Sequence, residues 1–255
     1  MDLTPLKEFA LHLARESARV ILPHFGNPSL EVEQKSDNTP VTVADRDAEI
    51  VMRNLIRQAH PDHGIFGEEF GLENEEAPLR WVLDPIDGTK SFVAGTPQFG
   101  TLIALMEGSQ PLLGVIASPV TGQVLLGDNE QTTLNGQPVR VRDCANLAEA
   151  TLLTTDLANP SRYQSPTGWR RLCDAVAKLY TWGDCHGYHL VATGGAEIMC
   201  DPIMSPWDQY ALIPVIRGAG GTITDWHGGD PVSGNSIVAA SPALHAQVIQ
   251  FLREK

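Results

Sequence analysis

Apolar residues recur at helical spacing from the start of the chain. Leu6, Phe9, Ala10, Leu13, Val20 and Ile21 fall near a 3.6-residue period, which predicts an amphipathic helix over residues 4–22. Ser17 shares that face, where a small side chain fits. Thr4 and Pro5 suit an N-cap and first turn, and Pro23 and Gly26 end the run. Residues 28–40 are polar and predict a loop or mobile hairpin. The helical period returns over 42–59 through Ala48, Val51, Met52, Leu55 and Ile56, and His60-Pro61 breaks it. The pattern then shortens. Gly64-Ile65-Phe66, Arg80–Leu83 and segments near 100–106, 112–118 and 122–128 read as strands separated by turn residues. Asn135-Gly136 is a strong turn signal. The first half therefore predicts two helices beside an antiparallel-rich sheet.

From about residue 146 the reading changes to alternation. A strand is predicted at 151–154, and helices at 168–178, 186–194, 207–217 and 242–251. Such alternation suggests a layered α/β arrangement. Two lobes follow: an N-terminal α+β lobe, residues 1–145, and a C-terminal α/β lobe, residues 146–255. Nothing between them is rich enough in Gly, Ser or Pro to be a flexible linker, so one compact unit is expected. With 255 residues, 42% of them hydrophobic, the chain is long enough for a large core.

Charge narrows the partners. The formal net charge is -13, from 18 Lys+Arg against 31 Asp+Glu. A surface this acidic repels nucleic acid and anionic membranes, so neither is expected as a partner. No stretch reaches the length of a membrane span, and the opening MDLTPLKEFALHLARES lacks the apolar core of a signal peptide. A cytoplasmic protein is expected. The four cysteines, Cys144, Cys173, Cys185 and Cys200, form no CxxC pair and suit reduced thiols rather than a zinc knuckle.

The richest chemistry lies in Trp81–Phe92, WVLDPIDGTKSF. Three apolar residues end a buried strand, and two carboxylates follow at i and i+3. Pro85 stiffens the turn between them, and Gly88 permits close backbone approach. Such a turn can aim Asp84, Asp87 and the carbonyl of Ile86 at one point, which suits a hard cation such as Mg²⁺. A plain surface turn is the alternative reading. Glu68-Glu69 is a second acidic pair after an apolar strand. Trp207-Asp208 places a third acid at a helix start, where it suits an N-cap equally well.

Taken together, these segments resemble the inositol monophosphatase family of metal-dependent phosphatases. Gly67-Glu68-Glu69 is similar to its G-E-E box, and Asp84–Thr89 to its D-P-I-D-G-T box. Asp208 with Gly218-Ala219-Gly220-Gly221 resembles the W-D…A-G-G box, and Lys35, Thr42 and Asp45 the earlier K…T-x-x-D region. The boxes occur in the family's order over nearly the whole chain. The resemblance implies a layered αβαβα sandwich of the inositol monophosphatase/fructose-1,6-bisphosphatase type, usually a homodimer. It also implies two to three Mg²⁺ per site. One would sit on Glu68, Asp84 and the carbonyl of Ile86, a second on Asp84, Asp87 and Asp208, and a third on Glu68 and water. A metal-activated water, oriented by Glu68 and Thr89, would attack a small-molecule phosphate monoester. Asp45 would hydrogen-bond the Thr89 hydroxyl, and the backbone near Gly88 and Thr89 would bind phosphate oxygens.

Substrate choice rests on other residues. Lys90-Ser91-Phe92 departs from the T-N-F of inositol enzymes, and Trp182-Gly183-Asp184-Cys185-His186-Gly187-Tyr188 resembles the histidinol-phosphatase branch. Asp184 suits a substrate ammonium. Asp201, where the family usually carries a glutamate, is a second acceptor. Lys90 is a candidate phosphate or charge partner, His186 an auxiliary contact, and Cys185 a packing residue. The expected reaction is hydrolysis of L-histidinol phosphate in histidine biosynthesis. Inositol-1-phosphate hydrolysis or broad specificity is the alternative. The D-G-T-K form also resembles the 3'-nucleotidase branch, against which Ser91 argues. A non-catalytic binding protein is the reading from another class, and the full set of acids opposes it.

Overall fold

The computed structural model describes residues 1–34 and 40–253. The first helix, Thr4–Ile21, follows the predicted span, but Thr4 is its first residue rather than its cap. Pro5 is preorganised for a first turn, and the Thr4 amide donates instead to Asp2 Oδ1 at 2.9 Å. The second helix, Val43–Ala59, starts with a capping box: Thr42 accepts from the Ala44 amide, and Asp45 accepts from the Thr42 amide at 2.8 Å. Strands Val32–Gln34 and Pro40–Thr42 pair antiparallel, and residues 35–39 of the polar 28–40 stretch lie outside the described residues.

Two larger sheets follow. Across the first, the strands run Gln137–Pro138, Thr132–Leu134, Gln123–Gly127, Gln110–Ser118, Gly100–Glu107, Leu79–Asp87, Gly64–Gly67 and Gly71–Glu73. Every neighbouring pair is antiparallel except Gly64–Gly67 beside Leu79–Asp87. The second sheet runs Lys178–Tyr180, Thr151–Leu153, Ile198–Asp201, Ile237–Ala240 and Thr222–Thr224. Its first three strands are parallel and the rest antiparallel.

Strand alternation sorts the core into layers. Trp81, Leu83, Ile103, Leu105 and Val115 point to the two N-terminal helices. Their alternates Val82, Leu102, Ala104 and Ile116 face the opposite way, onto helices Asp184–Ala192 and Leu212–Gly218. Those helices also cover Leu153, Met199, Ile237 and Ala239 of the second sheet. The far face of that sheet, Leu152, Ile198, Cys200, Val238 and Ala240, is closed by helices Pro166–Ala175 and Pro242–Arg253. The result is a five-layer αβαβα sandwich. No helix among the described residues is long and apolar enough to cross a membrane.

One predicted helix divides. The 207–217 pattern is two helices, Pro206–Gln209 and Leu212–Gly218. Pro214 lacks an amide hydrogen, and its ring would clash with the carbonyl of Tyr210, so one helix cannot run through both. All four cysteines are free thiols.

Candidate metal centre

The Leu79–Asp87 strand loses register with its Gly100–Glu107 partner between Asp84 and Asp87. Pro85 has no amide to offer the ladder, and its carbonyl accepts from the buried Thr101 hydroxyl at 2.7 Å. Ile86 donates its amide to Asp84 Oδ1 at 3.0 Å. This bulge turns both carboxylates to one side. Gly88 then takes φ 88°, a left-handed conformation costly for other residues, and starts the short Thr89–Val93 helix. Asp208 arrives from the second half as the third residue of helix Pro206–Gln209, where it accepts from the Ser205 amide at 3.0 Å. It is thus both a cap and a member of the site.

Ligand oxygens of Asp84, Asp87 and Asp208 all lie within 4.8 Å of one another. Asp84 is buried and the other two half-buried. Burial, then the nearby carboxylates of Glu68, Asp87 and Asp208, pushes Asp84 well above the usual carboxylate range. Burial and the charges of Asp184 and Asp208 do the same to Asp87. Asp208 is pushed up to about 7, chiefly by burial. Carboxylates forced together in this way are held by protons or by a cation. Oxygen donors in this number fit a hard divalent ion such as Mg²⁺. Because a cation must displace protons, its affinity rises with pH.

Beside the cluster opens a cavity of about 350 Å³. Glu68, Asp84, Ile86, Asp87 and Asp208 line it, as do Gly88, Thr89, Lys90 and Asp184. The sequence-predicted residues thus converge from both halves of the chain. Asp184 begins the Asp184–Ala192 helix at φ 50°, with its amide donated to Thr155 Oγ1 at 2.8 Å. The next amide, Cys185, donates to Asp87 Oδ2, tying this helix to the cluster. Burial and then Asp201 push Asp184 up to about 7, while Lys90 pulls it down. Asp201 lines an adjoining cavity of about 80 Å³ with Asp87, Asp184 and Asp208. Its oxygens already accept from the Thr155 amide and the Tyr188 hydroxyl, each at 3.0 Å.

Three expectations need correction or placement. The Thr89 hydroxyl donates to the Ile86 carbonyl at 3.1 Å, not to Asp45. Asp45 is buried and lines neither cavity, and Thr42 supplies both its amide and its hydroxyl to Oδ2. The capping box takes that carboxylate oxygen. His186 lines neither cavity and stacks on His189 instead, with ring centroids 6.2 Å apart. Lys35 lies outside the described residues. Cys185 is buried against Gly100, as a packing residue should be.

Sequence reading missed Thr155, Asp156 and Asn159, which line the same cavity as the cluster. The signal was present: Leu152-Leu153 is an apolar strand ending in polar residues and an acid, as at Glu68 and Asp84.

The chain matches the inositol monophosphatase family over residues 2–255. It is 39% identical over 253 residues to a histidinol-phosphatase of Chlorobaculum parvum, covering 97% of this chain and 96% of that one. A histidinol-phosphatase of Mycobacterium tuberculosis is 36% identical over 249 residues, with 95% and 96% covered. Among solved structures, an inositol monophosphatase from Zymomonas mobilis superposes with a TM-score of 0.88 at 33% identity, over 100% of both chains. Sequence, layers and clustered acids agree: the chain belongs to the inositol monophosphatase family.

Proposed function

We propose that the protein hydrolyses L-histidinol phosphate to L-histidinol and phosphate in the presence of Mg²⁺, as a step of histidine biosynthesis. The observation that carries the substrate assignment is the position of Asp184. Its Oδ2 would lie 3.1 Å from a Cβ built on Gly88, so an acid stands directly beside the turn that receives phosphate. Asp156 shares the cavity, and Asp201 stands next to it. Histidinol phosphate carries an ammonium and a protonatable imidazole; an inositol carries only hydroxyls. A cavity lined by several acids fits the first better. The likeness to the Chlorobaculum parvum and Mycobacterium tuberculosis histidinol-phosphatases supports the same reading.

Glu68, Asp84, the Ile86 carbonyl, Asp87 and Asp208 would hold the metal. When bound, Mg²⁺ would offset the charge of the phosphate dianion, lower the pKa of water and stabilise the leaving alkoxide. The protein's own part is positional. Glu68 and the Thr89 oxygen would orient the attacking water. The amides at the start of the Thr89–Val93 helix, which has no side-chain cap, receive phosphate oxygens. Asp184 holds the ammonium and so fixes the ester.

Phosphate release with Mg²⁺ tests the assignment on histidinol phosphate, inositol-1-phosphate, fructose-1,6-bisphosphate and adenosine 3',5'-bisphosphate. Histidinol phosphate is expected to give the highest kcat/KM. Equal or greater efficiency on inositol-1-phosphate would sink the substrate assignment and leave the metal centre standing.

A further inference from the structure

Glu68 is carried by a three-residue loop, Glu68-Glu69-Phe70, between the antiparallel strands Gly64–Gly67 and Gly71–Glu73. Amides in so short a loop need acceptors from elsewhere. Glu49 supplies them. It is fully buried on the Val43–Ala59 helix, and its carboxylate accepts from the Glu69 amide at 2.8 Å and the Phe70 amide at 3.2 Å. Successive amides converging on one anion form a nest; here the anion is the protein's own.

Arg53, one turn further along the helix and also buried, donates from Nε to Glu49 Oε1 at 2.7 Å. Its other nitrogens reach Glu73 at 3.2 Å and the Gly71 carbonyl. The pair therefore grips the loop from its centre and from its return strand. The same packing accounts for Gly67, where a Cβ would lie 2.0 Å from Glu49 Oε1. On the other side, the Glu68 amide donates to the Leu83 carbonyl at 3.1 Å, one residue before Asp84.

We propose that Glu49 and Arg53 are a positioning pair that fixes Glu68 relative to Asp84 and so sets the cation affinity of the cluster. This rests on the metal-centre reading given above. Stability alone gives no reason for a buried ion pair here, since apolar residues of similar volume usually serve as well. What apolar residues cannot do is accept the amides of residues 69 and 70.

Mn²⁺ is the probe, titrated into wild type and Glu49→Gln while free ion is followed by electron paramagnetic resonance. Loss of an outer-shell partner typically weakens metal binding about 10- to 100-fold, and a loss of at least about 10-fold is expected. Glu49→Gln removes one of the two carboxylates that Arg53 meets, so Glu49→Gln/Arg53→Met is measured beside it, with the same loss expected. Affinity within about twofold of wild type in either folded variant, far below the outer-shell loss, overturns the positioning role and leaves the metal centre intact. Absence of Mn²⁺ binding by wild type overturns both. If neither variant folds, hydrogen exchange in wild type decides. Glu69 and Phe70 amides protected like the adjoining strands support the proposal, and exchange at open-loop rates overturns it.

Discussion

Asp84→Asn is expected to lower phosphate release by at least about 10³-fold at saturating Mg²⁺, well beyond the typical cost of losing an outer-shell partner. Asp84 is central to the cluster by several criteria. It is the buried member of the Asp84, Asp87, Asp208 group. The charges of Glu68, Asp87 and Asp208 all act on it. Its Oδ1 also accepts from the Ile86 amide, so the same side chain shapes the turn that presents the Ile86 carbonyl. Asparagine keeps the size and one acceptor oxygen but removes the charge, and an amide is a poor substitute where a dication must be held. Neutralising one buried acid also relieves repulsion among the others, so the fold should tolerate the change. Phosphate release and a thermal melt on the same preparation check both halves. Near-normal turnover by a folded variant would remove Asp84 from the reaction.

Asp184→Asn should separate binding of the phosphate from binding of what it is attached to. A charge-assisted hydrogen bond is worth about 1.5–3 kcal/mol, so kcat/KM on histidinol phosphate is expected to fall about 10- to 100-fold. Inositol-1-phosphate, which presents no ammonium, should lose far less. Asparagine suits the test because residue 184 sits at φ 50°, a conformation Asn tolerates about as well as Asp. The amide of residue 184 can still donate to Thr155, and the neighbouring Cys185 amide can still hold Asp87. Asp184 also contributes to the field on Asp87 and Asp208. Any effect through the metal cluster would therefore appear on both substrates, which makes the neutral ester an internal control. Equal losses on both would deny Asp184 its part in specificity.

Much of this was readable along the chain, for a definable reason. Glu68, Asp84 and Asp87 lie in short boxes beside apolar strands, and most of the first sheet is built from neighbours in sequence joined by turns. Its longer strands therefore declare themselves locally, while the short Gly71–Glu73, Thr132–Leu134 and Gln137–Pro138 do not. Most of the second sheet does not. Thr151–Leu153 pairs with Ile198–Asp201, and that strand with Ile237–Ala240, across long stretches of chain. Segments of three or four residues buried on both faces carry no period to detect. Asp208 shows a subtler limit. Its cap-like setting was plain in sequence, and only the folded chain shows that a cap and a cluster member are the same residue. Asp45 shows the converse: the family pattern implies a contact with Thr89, while local capping gives its carboxylate to Thr42. Glu49 had no sequence signal beyond a helical i,i+4 spacing to Arg53, because its partners are backbone amides of another element.

The most direct test of the account is phosphate release from histidinol phosphate by chelator-stripped protein as Mg²⁺ is returned. The clustered acids predict no release without the ion and full recovery with it. They also predict that the Mg²⁺ needed for half-maximal release falls as pH rises through about 7, where Asp208 gives up its proton. Undiminished release in excess chelator would contradict the account at its centre.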